Sequence, residues 1–116
     1  MSFIYLASPY THHDPDVREE RYLAACKATA RLMEEGHVVF CPIAHSHPIE
    51  VLGMQGVQSG SFWKRQDIAI LRHASELMVL CIEGWKESTG IKWEIETAGQ
   101  LGIPVSYVEL EVELEA

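Results

Sequence analysis

The chain has 116 residues, 47% of them hydrophobic, with 9 Lys+Arg against 17 Asp+Glu and a formal net charge of −8. That length suits one domain over residues 1–116 and leaves no room for a second, while folding should bury roughly two-thirds of the surface the unfolded chain exposes. The acidic balance and scattered basic residues argue against a nucleic-acid polymer or an anionic membrane as partner, since either needs clustered Lys and Arg.

Cys26, Cys41 and Cys81 are an odd number at irregular spacing inside apolar runs, a usage that fits a reducing, cytoplasmic compartment better than a disulfide framework or a zinc finger. There is no basic-then-apolar leader and no apolar run long enough to span a bilayer. The chain contains no Asn, so side-chain amide recognition falls to glutamines.

Four short β-rich apolar runs occur in order, Phe3 to Ala7, His37 to Cys41, Leu77 to Ile82 and Pro104 to Val108. Their nearly continuous apolar character is that of strands covered on both faces. Between the first two, Tyr22, Cys26, Thr29 and Met33 repeat at helical spacing, with Asp16 as candidate N-cap, Glu19 three residues on and Gly36 as the stop, which predicts a helix over Arg18 to Glu35. Trp63, Asp67, Ile70, Leu71 and Ala74 predict a second helix over Ser61 to Ala74, and Ile91, Ile95, Ala98 and Leu101 a third over Gly90 to Leu101. Strands alternating with helices predict a three-layer α/β fold: a doubly wound parallel sheet of four or five strands, flavodoxin-like, with helices on both faces. The alternating apolar and acidic tail over 108–116 reads as an edge strand or a dimer contact. Ligands of such sheets bind outside the carboxyl ends of the strands, which directs attention to loops 8–17, 41–60 and 83–90.

Asp67 shares its helical stripe with Trp63 and Leu71, so its carboxylate projects from an otherwise apolar face. Two readings fit: a structural acid paired to a neighbouring Arg, or a desolvated carboxylate at the rim of a pocket. Glu94 falls in the first turns of the helix after Ser88, Thr89 and Gly90, where the macrodipole favours an ionised acid. It is either an ordinary helix-start acid or a nucleophile or base. Ser88 to Gly90 are equally suited to capping that helix and to cradling a phosphate. His45 and His47, near Cys41 and bracketed by Pro42 and Pro48, would point to one side of a stiff extended loop, but no third or fourth ligand lies at a plausible zinc spacing. Loop histidines that touch a ligand or solvent fit better. Gly53, Gly56 and Gly60 mark 53–60 as a mobile stretch or a lid. No dinucleotide, Walker, nucleophile-elbow or C-x-x-C motif is present.

The layout as a whole, with the strand Ile4-Tyr5-Leu6-Ala7, Asp67 in a helix, Ser88-Thr89-Gly90-Ile91-Lys92-Trp93-Glu94-Ile95 opening another and Gly102-Ile103-Pro104-Val105 after it, resembles the nucleoside 2-deoxyribosyltransferase superfamily across almost the whole chain. The resemblance implies that Glu94 is the nucleophile at the anomeric carbon, that Asp67 assists at the active site and that Tyr5 hydrogen-bonds the nucleophile. Transferases of that superfamily acting on free nucleosides usually carry an aspartate six residues before the nucleophile. The 2′-deoxynucleoside 5′-phosphate N-hydrolases carry a serine there, in a Ser-x-Gly turn that holds the phosphate. Ser88 and Gly90 match the second pattern. The first loop, Ala7-Ser8-Pro9-Tyr10-Thr11-His12, departs from it in lacking a Gly/Arg-rich stretch, His45-Ser46-His47 and Trp63 are not features of those hydrolases, and the loop and Trp63 look like those of a short separate branch.

The expectation is therefore an N-glycosidase or deoxyribosyltransferase acting on a nucleoside or nucleoside 5′-monophosphate, in a homodimer or larger homo-oligomer. It would need no metal or organic cofactor. Glu94, Asp67 and Tyr5 would be catalytic, with the Asp67 pKa raised by its apolar surroundings. Ser88 and Gly90 would take the phosphate, and Ser8, Pro9, Tyr10, His45 and Trp63 would line the substrate pocket. The alternatives are a nucleotide-binding or sensing domain without turnover and a His-based metal hydrolase using His45, His47 and His12.

Overall fold

The computed structural model describes residues 2–109. A four-stranded parallel sheet of order β2-β1-β3-β4 is built from β1 (Ile4–Ala7), β2 (Val39–Phe40), β3 (Glu76–Leu80) and β4 (Val105–Val108). Helices α1 (Pro15–Glu34), α2 (Pro42–Gly53), α3 (Gly60–Leu71) and α4 (Thr89–Leu101) connect them. The expected doubly wound α/β fold is present. The segment proposed as an edge strand or dimer contact lies largely outside the described residues, at 110–116.

Alternation along β1 divides the core. Ile4 and Leu6 join Leu80, Val39 and the inner face of α1, where Ala25, Ala28 and Leu32 are buried. Tyr5 and Ala7 point the other way, into a second core of Leu77, Val79, Leu71, Ala74, Ile91 and Ala98 contributed by β3, α3, the turn after α3 and α4. Two layers of helix thus cover the two faces of the sheet, and all four residues of β1 are buried, as expected of a central parallel strand.

Helix α1 begins earlier than its periodicity implies. Asp14, not Asp16, is the N-cap, its Oδ1 accepting the backbone N–H of Asp16 at 2.9 Å. Pro15 occupies the first turn, where its missing N–H costs nothing. Gly36, just past the helix end, adopts φ 101°, a left-handed conformation that only glycine reaches cheaply.

The larger correction concerns residues 41–60. The stretch from Pro42 to Gly53 is helix α2, not an extended loop. Pro42 sits in its first turn and Pro48 lies inside it, so the second proline leaves one helical acceptor without its N–H instead of ending the element. On a helix, residues two apart diverge. His45 is exposed with its ring 5.6 Å from that of Phe40, whereas His47 is buried. The two histidines do not share a side as an extended loop would have arranged, and among the described residues no group of three His, Cys, Asp or Glu is arranged to hold a metal. The glycine-rich stretch that follows is short, because Ser59 caps α3 by accepting the Phe62 N–H on Oγ at 3.2 Å.

Candidate active site

The chain turns back on itself between β1 and β3: β2 lies to one side of β1, and β3 and β4 to the other. The carboxyl ends of strands diverge at such a reversal, leaving a crevice. A cavity of about 870 Å³ opens there. It is walled by Ser8 and Tyr10 after β1, by α2, by Trp63, Lys64 and Asp67 of α3, by Glu83, Gly84 and Glu87 to Gly90 after β3, and by Trp93 and Glu94 of α4.

Glu94 is on the inward face of α4, one turn from buried Ile91 and Ala98, and is only 6% exposed. Its Oε2 accepts a hydrogen bond from the Tyr5 hydroxyl at 2.5 Å. Tyr5 is wholly buried in the adjacent strand, so the sheet itself fixes this contact across 89 positions of sequence. Burial pushes the Glu94 pKa up to about 8; the Tyr5 hydrogen bond opposes that rise and the nearby Asp67 charge adds to it. The helix-terminal position alone favours an ionised acid, but desolvation outweighs it. Burial and the neighbouring Glu94 also hold the Tyr5 hydroxyl well above the ordinary tyrosine value, so Tyr5 acts as a neutral donor. Asp67 lies one helical turn after Trp63 and is pushed up to about 6 by burial.

Ser88 is the N-cap of α4, its Oγ accepting the Ile91 N–H at 3.1 Å. Capping uses a lone pair and leaves the hydroxyl proton to give. The Thr89 and Gly90 N–H groups belong to the first turn, which has no intrahelical acceptor, and all three residues line the cavity. Two arginines of α1 face the same space, although the sequence reading assigned them nothing. Arg18 Nη1 donates to the His12 carbonyl and Arg21 Nη1 to the Thr11 carbonyl at 3.1 Å. The Arg21 guanidinium also packs where a side chain at Gly84 would stand. Gly84, at φ 95°, is therefore held to glycine by backbone and space together. The spacing of Arg18 and Arg21 on one helix face was visible in the sequence; the fold that turns this face toward the loop after β3 was not.

The remaining expected residues fall in different places. Tyr10 lines the cavity and its hydroxyl is 2.6 Å from His47 Nδ1. His47 stacks on Tyr22 at 4.1 Å, and its Nε2 lies 3.5 Å from Glu19 Oε1. The histidines that line the cavity are thus His12 and His47, while His45 lies outside it. Pro9 is buried behind the wall. Ser8 Oγ, shielded from solvent, has no hydrogen-bond partner among the described residues. Trp63 lines the cavity and donates its indole N–H to Glu50 Oε2 at 2.9 Å. Glu50 itself, buried at 6% exposure, escaped notice because its stretch was read as loop. Trp93 was also missed; the Lys64 ammonium sits 4.8 Å from its ring centroid, a cation–π contact at the cavity wall.

No curated protein matches the chain. A solved structure of 2-deoxyribosyltransferase from the psychrotolerant bacterium Bacillus psychrosaccharolyticus is similar to it, with a TM-score of 0.64 and 25% sequence identity over 97% of this chain and 77% of that one. The deoxyribosyltransferase-like layout expected from the sequence is borne out at the level of the whole fold. No helix among the described residues is long and apolar enough to cross a membrane. A family model matches residues 2–110, and the chain therefore belongs to the family described as Domain of unknown function (DUF1937).

Proposed function

We propose that the protein cleaves or transfers the N-glycosidic bond of a nucleoside or nucleoside 5′-monophosphate, with Glu94 as nucleophile. The observation that carries this reading is the buried Tyr5–Glu94 pair, with Asp67 beside it, in a nucleoside-sized cavity. The likeness to a 2-deoxyribosyltransferase supports it.

A Glu94 oxygen attacks the anomeric carbon through an oxocarbenium-like transition state and forms an ester bond to it. The glycosidic C–N bond breaks with its electron pair on the base nitrogen, which takes a proton from Asp67. Water then attacks the same carbon, returns a proton to Asp67 and restores the Glu94 carboxylate; a second base in place of water gives transfer. The pair holds one proton near neutral pH, and its resting place is Glu94, the group of higher pKa. Reaction needs that proton on Asp67, and the Tyr5 hydroxyl favours this arrangement because it stabilises charge on Glu94. The rate should therefore be bell-shaped in pH, with limbs near 6 and 8 that belong to the coupled pair.

Ser88, the Thr89 and Gly90 amides and the Arg21 guanidinium form the end of the cavity suited to a 5′-phosphate. Tyr10 and Trp63 flank the base. A homodimer or larger assembly completes the reading: Val51, Leu52 and Val57 are 60%, 85% and 71% exposed, and Val57 also lines the cavity, apolar surface that a second copy would cover. Solution mass measurement tests that part, and a strictly monomeric protein contradicts it.

The chemistry is tested by following free-base release from nucleosides and 5′-monophosphates, comparing wild type with Glu94→Gln. Release from one class, lost in the variant, is expected. Binding without release from any member would instead favour a nucleotide-sensing domain.

A further inference from the structure

Glu50 is a buried carboxylate that the chemistry above does not use. It lies on α2, lines the cavity and is 6% exposed. Both hydrogen bonds described for it end on one oxygen: the Trp63 indole N–H and the Gln58 backbone N–H each reach Oε2 at 2.9 Å. These donors come from α3 and from the segment before it, so three pieces of chain hold the carboxylate in one orientation. Among the described residues no hydrogen bond ends on Oε1, and Glu50 lines the cavity. Trp63 stands one helical turn before Asp67, the group that meets the departing base, while the Ser88 turn lies on a different wall. On the glycosidic reading, the contact with Trp63 therefore puts Glu50 at the base end of the cavity.

We infer that Glu50 reads the base, accepting a hydrogen bond on Oε1 from an exocyclic amino group, so that amino-bearing bases are preferred over their oxo counterparts. This rests on the glycosidic reading of the site and adds the substrate class to it. A carboxylate accepts only. An amino group, as on cytosine or adenine, supplies the donor it needs. A carbonyl at the same place, as on uracil or hypoxanthine, sets two acceptors against each other and leaves a buried charge without its partner. The fixed side of the carboxylate makes the device testable. In Glu50→Gln, the Trp63 and Gln58 N–H groups both demand an acceptor, so the amide oxygen must turn to them. The amide NH₂ then occupies the place of Oε1, and an acceptor facing the cavity becomes a donor.

The test uses the matched pairs cytosine/uracil and adenine/hypoxanthine as deoxynucleosides and as their 5′-monophosphates. Turnover is measured on the wild-type and Glu50→Gln chains. Binding is measured by calorimetry on Glu94→Gln and on Glu94→Gln combined with Glu50→Gln. The expected result is an amino-over-oxo preference of at least about tenfold in the wild-type chain, lost or inverted by Glu50→Gln. A strut that merely holds Trp63 and Gln58 would keep both bonds as Gln and leave the ratio unchanged, and an unchanged ratio overturns the inference. If Glu50→Gln does not fold, the wild-type ratio decides, and indifference to the amino group overturns it. Amino-selective binding that follows Glu50, with no base released from any member, supports the recognition and contradicts the glycosidic chemistry. Neither binding nor release from any member overturns both.

Discussion

At the scale of single residues, the proposed chemistry rests on two carboxyl groups and one phenol. Tyr5 donates to Glu94 at 2.5 Å from a position with no solvent exposure, so its loss cannot be made good by water. Tyr5→Phe should move the limb near pH 8 upward, because the hydrogen bond it removes is what opposes the rise of the Glu94 pKa. At pH 7 the activity should fall by about tenfold or more, in line with a lost charge-assisted hydrogen bond. A pH–rate profile of the variant checks this, and an unmoved limb would mean that Tyr5 does not reach Glu94 during turnover. Glu94→Gln should lower base release by at least about 10³-fold while nucleoside binding, measured by calorimetry, persists.

At the scale of elements, the start of α4 is where the proposed reading has structure meet ligand. Ser88→Ala removes the cap on the Ile91 N–H and should lower stability by about 1 kcal/mol. It should also reduce any preference for 5′-monophosphates over nucleosides, because the hydroxyl that caps also has a proton to give. Thermal unfolding and paired substrate assays separate the two effects, and a variant that loses stability alone would confine Ser88 to capping. Elements were legible in the sequence where one pattern was strong. The buried runs of β1 and β3 and the helical stripes of α1, α3 and α4 each reflect one face meeting the sheet, and their bounds moved only by a few residues at the caps. Helix α2 was not legible, since Pro42 and Pro48 suggest breaks and only tertiary packing shows that a helix tolerates the second. Reading that stretch as a loop hid Glu50 and put His45 at the cavity wall in place of His47. Glu94 stood out by its place after a small-residue turn, but its raised pKa depends on burial against β1, which no local pattern reports.

For the whole molecule, strand order places the cavity. The reversal between β1 and β3 brings the residues after each strand together at one edge, and α4 and α3 deliver their acids from the face opposite α1. The same burial that tunes the site costs stability. The folded chain keeps protons on Glu94 up to about 8 and on Asp67 up to about 6, above their ordinary 4.5 and 3.8. Across those windows the unfolded chain has already released them, so stability should fall as pH rises from about 4 to about 8 and level off beyond. Glu94→Gln removes the larger part of that slope and should be more stable than wild type at pH 8 by on the order of 2–4 kcal/mol. Denaturant unfolding at pH 5 and pH 8 measures it, and equal slopes in the two proteins would show that Glu94 is not the group responsible.

The central claim is a covalent bond between Glu94 and the sugar. Its most direct test is to quench the protein during turnover of a substrate found in the base-release panel and to determine the mass of the peptide that carries Glu94. The account predicts a fraction of that peptide heavier by one sugar residue, or by one sugar-phosphate residue where the substrate is a 5′-monophosphate, absent in Glu94→Gln and lost on chasing with water or a second base. Base release that proceeds with no adduct on that peptide, and that survives in Glu94→Gln, would contradict it.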